Sequence, residues 1–261
     1  MSEGTETGGR GDPMRPTDIS TPSYFHKVVD CQWACPAHTP VPHYIRLIAE
    51  GSPAEAYMAN WEANVFPGIL GRVCDRPCEP ACRRSRVERE AVAICRLKRV
   101  AADTKGDIAE FLQRPILKKN GKRIALIGGG QASLTVARDL APLGYRCVVF
   151  DQNQKPGGMM RTRIPQFRLP ETVVDEETQY ALGNGTEFCG GGSVQSLKDL
   201  LAGGWDAILV GTGAPRGLDL DLPGRIEASD HIHVGVDWLA NVRFGHIDRL
   251  YGRVVVIGGG N

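Results

Sequence analysis

From Ser23 to about Asp107 the apolar positions recur at helical spacing. Tyr44, Leu47 and Ile48 share one helix face, and Gly51 follows as its C-terminal stop. Ser52, Pro53 and Glu55 predict the next helix start, with Ser-x-x-Glu as a capping box and Pro at the first helical position. From Lys122 the period changes: RIALIGG reads as a strand, QASLTVARDLAPLGY as a helix and RCVVFD as a second strand, together a βαβ unit. SLKDLLAGG followed by AILVGTGA continues the alternation. The Gly-rich strand ending recurs, as IALIGGG from Ile124 and VVVIGGG from Val254. Residues 1–22 are polar and rich in Gly, Pro, Ser and Thr, which predicts a disordered tail. The pattern predicts an α+β chain with a helical domain over 23–118 and a Rossmann-like α/β domain over 119–225. A linker and the start of an incomplete second dinucleotide-binding domain are expected over 226–261.

Composition narrows the function. The chain of 261 residues, 42% hydrophobic, is long enough for two domains that each bury a core. Its 31 basic and 30 acidic side chains leave a net charge of +1, which gives no global reason to expect nucleic acid or a membrane surface as partner. No apolar run approaches the roughly 20 residues of a membrane span, and Met1 to Pro22 lacks the apolar stretch of a secretory signal. A cytoplasmic protein is expected. In such a reducing compartment, six cysteines between Cys31 and Cys95 point to metal ligation more than to disulfides.

Three residues separate Cys31 from Cys35, with Pro36 next; Cys74, Cys78 and Cys82 repeat that spacing, and Cys95 falls on a predicted helix. Four-residue steps place sulfurs on one side of a helical turn, as a cluster fed from several segments requires. Iron-sulfur is favoured over zinc, which prefers C-x2-C knuckles, and zinc stays as the alternative. Polar surface or capping roles are expected for His26, His38 and His43, and buried apolar roles for Cys147 and Cys189. Nine Lys or Arg against four Asp or Glu between Arg72 and Arg99 suggest a solvated face, with the remaining charges offsetting a negative cluster or docking an acidic partner.

Gly128, Gly130 and Ser133 form a G-x-G-x-x-[GAS] loop between strand and helix, where bare backbone can approach a pyrophosphate. Asp151, ending the second strand, is placed to accept from ribose hydroxyls. An acid there disfavours a 2'-phosphate, so the site suits FAD or NAD better than NADP. Gly157 and Gly158 follow, and Gly211, Thr212 and Gly213 end a later strand.

The run GGMMRTRIPQFRLP, from Gly157 to Pro170, together with the cysteine-rich N-terminus, resembles the small subunit of glutamate synthase and the matching part of dihydropyrimidine dehydrogenase. The resemblance implies FAD at Gly128, Gly130, Asp151, Gly158 and Gly213, with Pro165 and Arg168 near the isoalloxazine edge. Ser133 stands where that family has Gly. The resemblance also implies two [4Fe-4S] clusters, but an early cysteine pair is missing from residues 21–30. It assigns Cys35, Cys74 and Cys78 to the cluster nearer the flavin, with Cys95 supplying the fourth ligand from about one helical turn away. Cys31 and Cys82 match the other cluster, which would need unusual side chains or a partner to complete it. Gly258 and Gly260 belong to the opening of the family's NAD(P)H site, so the chain is expected to be part of a longer subunit.

The expected function is electron transfer between NAD(P)H, FAD and a [4Fe-4S] cluster, to or from a partner oxidoreductase subunit in a hetero-oligomeric complex. No nucleophile or acid-base pair stands out. The alternative is a zinc-stapled scaffold or assembly subunit with a nucleotide fold and no redox activity.

Overall fold

The computed structural model describes residues 29–112, 114–250 and 252–259. The tail expected over 1–22, His26 and Gly260 lie outside the described residues. Six described helices precede the first strand: α1 (Asp30–Ala34), α2 (Val41–Ala49), α3 (Pro53–Ala63), α4 (Pro67–Val73), α5 (Ser85–Glu88) and α6 (Ile94–Thr104). Proline opens α2, α3 and α4, where its missing N–H costs nothing and its fixed φ suits the first turn. Helix α2 stops as expected, with Gly51 at φ +79°. The Gly51 N–H donates to Ile48 O (3.1 Å) and the Ser52 N–H to Leu47 O (2.8 Å), closing the last turn. Ser52 is the N-cap of α3, but its side chain makes no capping bond. The expected capping box fails because the Ser52 N–H, which Glu55 would have to reach, is already held by Leu47.

The α/β half holds four parallel strands, β1 (Arg123–Ile127), β2 (Arg146–Asp151), β3 (Glu187–Gly190) and β4 (Ala207–Val210), in the order β3-β2-β1-β4. Between and after them lie α7 (Gln131–Leu140), α8 (Gly158–Thr162), α9 (Glu171–Leu182), α10 (Leu197–Ala202) and α11 (Gly235–Arg243). The chain winds from β1 out to β3, then returns to β4 on the other side of β1. That reversal opens a crevice beyond the carboxyl ends of β1 and β4, where open parallel sheets bind ligands. Residues 253–259, expected to begin with a strand, pair with none of the described strands, and Val255 and Val256 are about four-fifths exposed. An extended segment without a ladder partner has no regular structure to join.

Each half has its own buried cluster, one around Tyr44, Ile94 and Cys95 and one around Leu126, Ala137 and Val149. A third cluster joins the halves, packing Tyr57, Trp61 and Ile69 against Leu134, Met160 and Val174. At its centre Glu177 on α9 is 1% exposed and accepts from Tyr57 Oη (2.9 Å), Gly68 N (2.6 Å) and Ile69 N (2.9 Å). A Cβ on Gly68 would stand 3.0 Å from that carboxylate, so glycine lets it in. Lys105 adds a second crossing, 2.9 Å from Glu176.

Burial pushes the Glu177 carboxyl up to about 7, against the three donors that favour its charge. Replacing it with Ala strands two buried N–H groups and is expected to cost about 2–4 kcal/mol, read as a lower urea midpoint. Because the folded value lies above the ordinary 4.5, this group's stabilisation is complete below pH 4.5 and is lost as pH rises through 7. Over that window Glu177→Gln should flatten the decline seen in the unmodified chain.

Candidate functional site

The glycine loop leaves β1 at a point where three backbones converge. Gly128 has φ +97°, and a Cβ there would stand 2.4 Å from the Gly211 carbonyl oxygen, so no other residue fits. The Gly157 N–H donates to Gly129 O (2.7 Å), and a Cβ on Gly158 would stand 2.8 Å from Gly130 Cα. Gly128, Gly130, Gly157, Gly158 and Thr212 are thereby gathered at the crevice, with Gly213 following Thr212 in the chain. Ser133 is fully buried against Gly211, whose added Cβ would lie 2.5 Å from the serine hydroxyl. Its Oγ has no partner among the described residues. Gly130 is the N-cap of α7, and no side chain caps that helix, so its first-turn N–H groups face the loop uncapped.

Asp151 closes the loop from β2. It is 9% exposed; one carboxylate oxygen accepts from the Gly129 N–H, and the other accepts from the backbone and side-chain amides of Asn153, both at 2.7 Å. A carboxylate offers about four acceptor positions, so roughly one remains for a ligand hydroxyl. Asn153 was not anticipated; its signal was the Asp-x-Asn spacing of a side-chain-braced turn.

The cysteines come from three segments. Cys31 lies in α1 and Cys35 caps its end, Cys74 caps the end of α4, and Cys95 is the second residue of α6. Cys78 and Cys82 sit in successive turns, not along a helix as their spacing suggested, because Pro77 and Pro80 interrupt any helical ladder there. Proximity of the Cys74, Cys78 and Cys95 thiols holds Cys74 down to about 6, lowers Cys78 and raises Cys95. Cys35 Sγ lies 3.4 Å from Thr39 Oγ1. Tyr44, wholly buried in the cluster that holds Cys78 and Cys95, donates its hydroxyl to Ile94 O at 2.9 Å, and burial raises its pKa.

Cys31 and Cys74 pack against the buried cluster that holds Tyr44, Cys78 and Cys95. An all-thiol donor set free of disulfides suits iron-sulfur. Among the described residues no three His, Cys, Asp or Glu side chains meet at the spacing one metal ion needs. A cluster spreads its thiolates over several irons. Glu79, also unanticipated, accepts the Cys95 N–H at 3.0 Å. His38 stacks on Trp33 with ring centroids 5.2 Å apart, and His43 is exposed. Cys147 is buried on β2, whereas Cys189 is only half-buried on β3.

The two halves meet in a cleft of about 610 Å³ lined by Cys74, Arg76, Glu79 and Arg89 on one side and Arg168 on the other. Arg168 ends a turn in which its N–H donates to Pro165 O at 3.0 Å. No described helix is long and apolar enough to cross a membrane.

Residues 24–109 match the model of dihydropyrimidine dehydrogenase domain II with its 4Fe-4S cluster, and residues 126–188 match an NAD(P)-binding Rossmann-like domain. Fold and matches define a chain that joins an iron-sulfur domain to a Rossmann-like nucleotide domain. The chain belongs to the family that includes the glutamate synthase small subunit and the PreT subunit of dihydropyrimidine dehydrogenase. It is 33% identical over 248 residues to the glutamate synthase [NADPH] small chain of Escherichia coli, covering 88% of this chain and 52% of that one. It is 32% identical over 255 residues to the NADP(+)-dependent formate dehydrogenase subunit beta of Moorella thermoacetica (88% and 36%). To the NADPH-Fe(3+) oxidoreductase subunit beta of Geobacter sulfurreducens it is 31% identical over 258 residues (94% and 38%). The chain spans between about a third and just over half of these relatives.

The contact between Cys74 and Cys95 depends on a close crossing of α4 and α6, where a Cβ on Gly71 would stand 2.8 Å from the Arg99 backbone. Gly71→Ala must push the helices apart, at an expected cost of about 1–3 kcal/mol in a urea melt.

Proposed function

We propose that the chain is the flavin- and cluster-bearing part of an NAD(P)H oxidoreductase, passing electrons between FAD and one [4Fe-4S] cluster, and to or from a partner subunit. The observation that carries the proposal is the cleft in which Arg168 of the α/β half faces Cys74 of the cysteine group. Bound flavin would take a hydride and release its electrons singly, chemistry that belongs to the cofactor.

The chain's own residues bind and orient. The bare backbone of Gly128 and Gly130 and the uncapped start of α7 suit a pyrophosphate, with Gly157 and Gly158 as the facing wall. Asp151 offers its remaining acceptor position to a ribose hydroxyl and repels a 2'-phosphate. Thr212 and Gly213 extend the crevice. Pro165 and Arg168 border the ring edge, the guanidinium supplying positive charge beside it. Cys35, Cys74, Cys78 and Cys95 ligate the cluster, and Cys31 and Cys82 stay outside it. In the complete protein Gly258 and Gly260 belong to the NAD(P)H site. The words "subunit" and "small chain" in the relatives' names support a hetero-oligomeric partner, and eight free thiols suit the reducing cytoplasm.

Anaerobic reconstitution followed by metal, sulfide and flavin analysis tests this reading. About four iron and four sulfide with one FAD per chain is the expected result. Zinc in place of iron would favour the scaffold alternative, and a nicotinamide dinucleotide in place of flavin would overturn the FAD assignment. Serine at Cys35, Cys74, Cys78 or Cys95 should abolish the iron, whereas Cys31→Ser and Cys82→Ser should retain it. Loss of one ribose hydrogen bond in Asp151→Ala should weaken FAD retention about tenfold, measured by equilibrium dialysis.

A further inference from the structure

We propose that Arg161, anchored by Arg243 of α11, is the positioning residue that sets the glycine wall facing the pyrophosphate loop, a role that rests on the flavin reading above. The wall is the turn Pro156-Gly157-Gly158, and the loop runs from Gly128 to Gly130. Two contacts join them. The Gly157 N–H donates to Gly129 O at 2.7 Å, and Gly158 lies so close to Gly130 that a Cβ would stand 2.8 Å from its Cα. Both wall glycines have positive φ, +125° and +51°. Glycine backbone left to itself samples many conformations, so the turn needs an outside hold to keep this one.

Arg161 supplies that hold. Its side chain is buried and folds back over its own turn, with Nε donating to Pro156 O at 2.8 Å. A Cβ on Gly157 would stand 3.3 Å from Arg161 Cβ and 2.9 Å from Val174 Cγ1, so the arginine stem and α9 together fill the space above that glycine. The rest of the guanidinium is engaged by α9: Nη1 donates to Glu171 Oε1 at 2.8 Å and Nη2 to Asp175 Oδ1 at 2.6 Å. A planar fork with acceptors on three sides has one orientation, which fixes the Pro156 carbonyl relative to α9. The main chain of Arg161 is held as well. It lies near the end of α8, and the residue four positions on is Pro165, which has no N–H to offer its carbonyl. Arg243 Nε takes that place at 2.8 Å, while its Nη2 reaches the second Glu171 oxygen at 3.0 Å. Glu171 thus bridges the two arginines, one oxygen to each. The route from α11 to the loop runs through Arg161 O, Pro156 O and the Gly157 N–H, each joint a hydrogen bond of 2.7 to 2.8 Å. Both arginines act through the wall and not on the ligand. The flavin crevice is thereby braced by the segment that leads into the second glycine-rich run.

The test compares the FAD-reconstituted chain in four forms: unmodified, Arg161→Met, Arg243→Met and Lys155→Met. Lys155 is an exposed cation 3.3 Å from the same Glu171 oxygen that Arg161 engages, so it controls for lost charge alone. Equilibrium dialysis reads FAD retention, phosphorus NMR reads the surroundings of the bound pyrophosphate, and a urea transition of the FAD-free chain reads folding. Loss of the charged hydrogen bond to Pro156 should weaken retention about tenfold in Arg161→Met, and loss of the anchor about fivefold in Arg243→Met. The phosphorus resonances of bound FAD should shift in both. Lys155→Met should stay within about twofold of the unmodified chain with its resonances unmoved, as expected of a screened surface pair. Retention within about twofold of the unmodified chain in either arginine variant, or an equal loss in Lys155→Met, overturns the inference. Weaker retention with unmoved resonances shows general destabilisation in place of a displaced wall, and overturns it too. Should Arg161→Met give no cooperative urea transition, Arg243→Met decides by the same criteria. An unmodified chain that retains no FAD defeats the flavin reading itself, a result separate from any change at the arginines.

Discussion

Glu177 sits on a helix of the α/β half and accepts its hydrogen bonds from the helical half, and the directions of those bonds set how the halves pack. Two of the donors are the adjacent N–H groups of Gly68 and Ile69 at the start of α4. The end of the same helix delivers Cys74. Any tilt of α4 about the carboxylate would therefore move a thiol relative to Arg168 across the cleft. Close packing of Tyr57 and Trp61 against Tyr180, with ring centroids 6.2 to 6.4 Å apart, stiffens the same joint.

On the other side of the molecule backbone replaces side chain as the building material. Gly128 approaches Gly211, and Gly158 approaches Gly130, so closely that neither Gly128 nor Gly158 has room for a Cβ. Asp151 is part of that construction because it ties down the Gly129 N–H, so one carboxylate both shapes the loop and presents its last acceptor to the crevice.

Much of this was readable in the residues. The change from helical to alternating period at Lys122 marked where the strands begin, and the Gly128, Gly130 and Asp151 pattern predicted a loop between the first strand and its helix. Local spacing misled where long-range contacts decide. The capping box at Ser52 looked complete in sequence, yet the preceding helix had already taken its backbone donor. The Cys74, Cys78 and Cys82 steps suggested a helix, and intervening prolines made turns of them. Glu177 gave no signal, because a charged residue in a helix reads as solvent-facing until the packing of a distant segment covers it. The joint between the halves was likewise invisible, since the donors to Glu177 lie more than a hundred positions before it.

That joint bears on how such chains can be recombined. Modules connected by a linker can be exchanged if each keeps its own surface, but here the helical half supplies a glycine notch and a tyrosine that are complementary to one acidic side chain of the other half. A cysteine module carrying a larger residue at position 68 would leave Glu177 buried without its donors, and an α/β half lacking Glu177 would leave the start of α4 unsatisfied. The unit that can be transplanted intact thus runs from α1 through β4, across the boundary that composition marks, and inheritance of the two halves is tied together by a cavity-sized fit of one carboxylate.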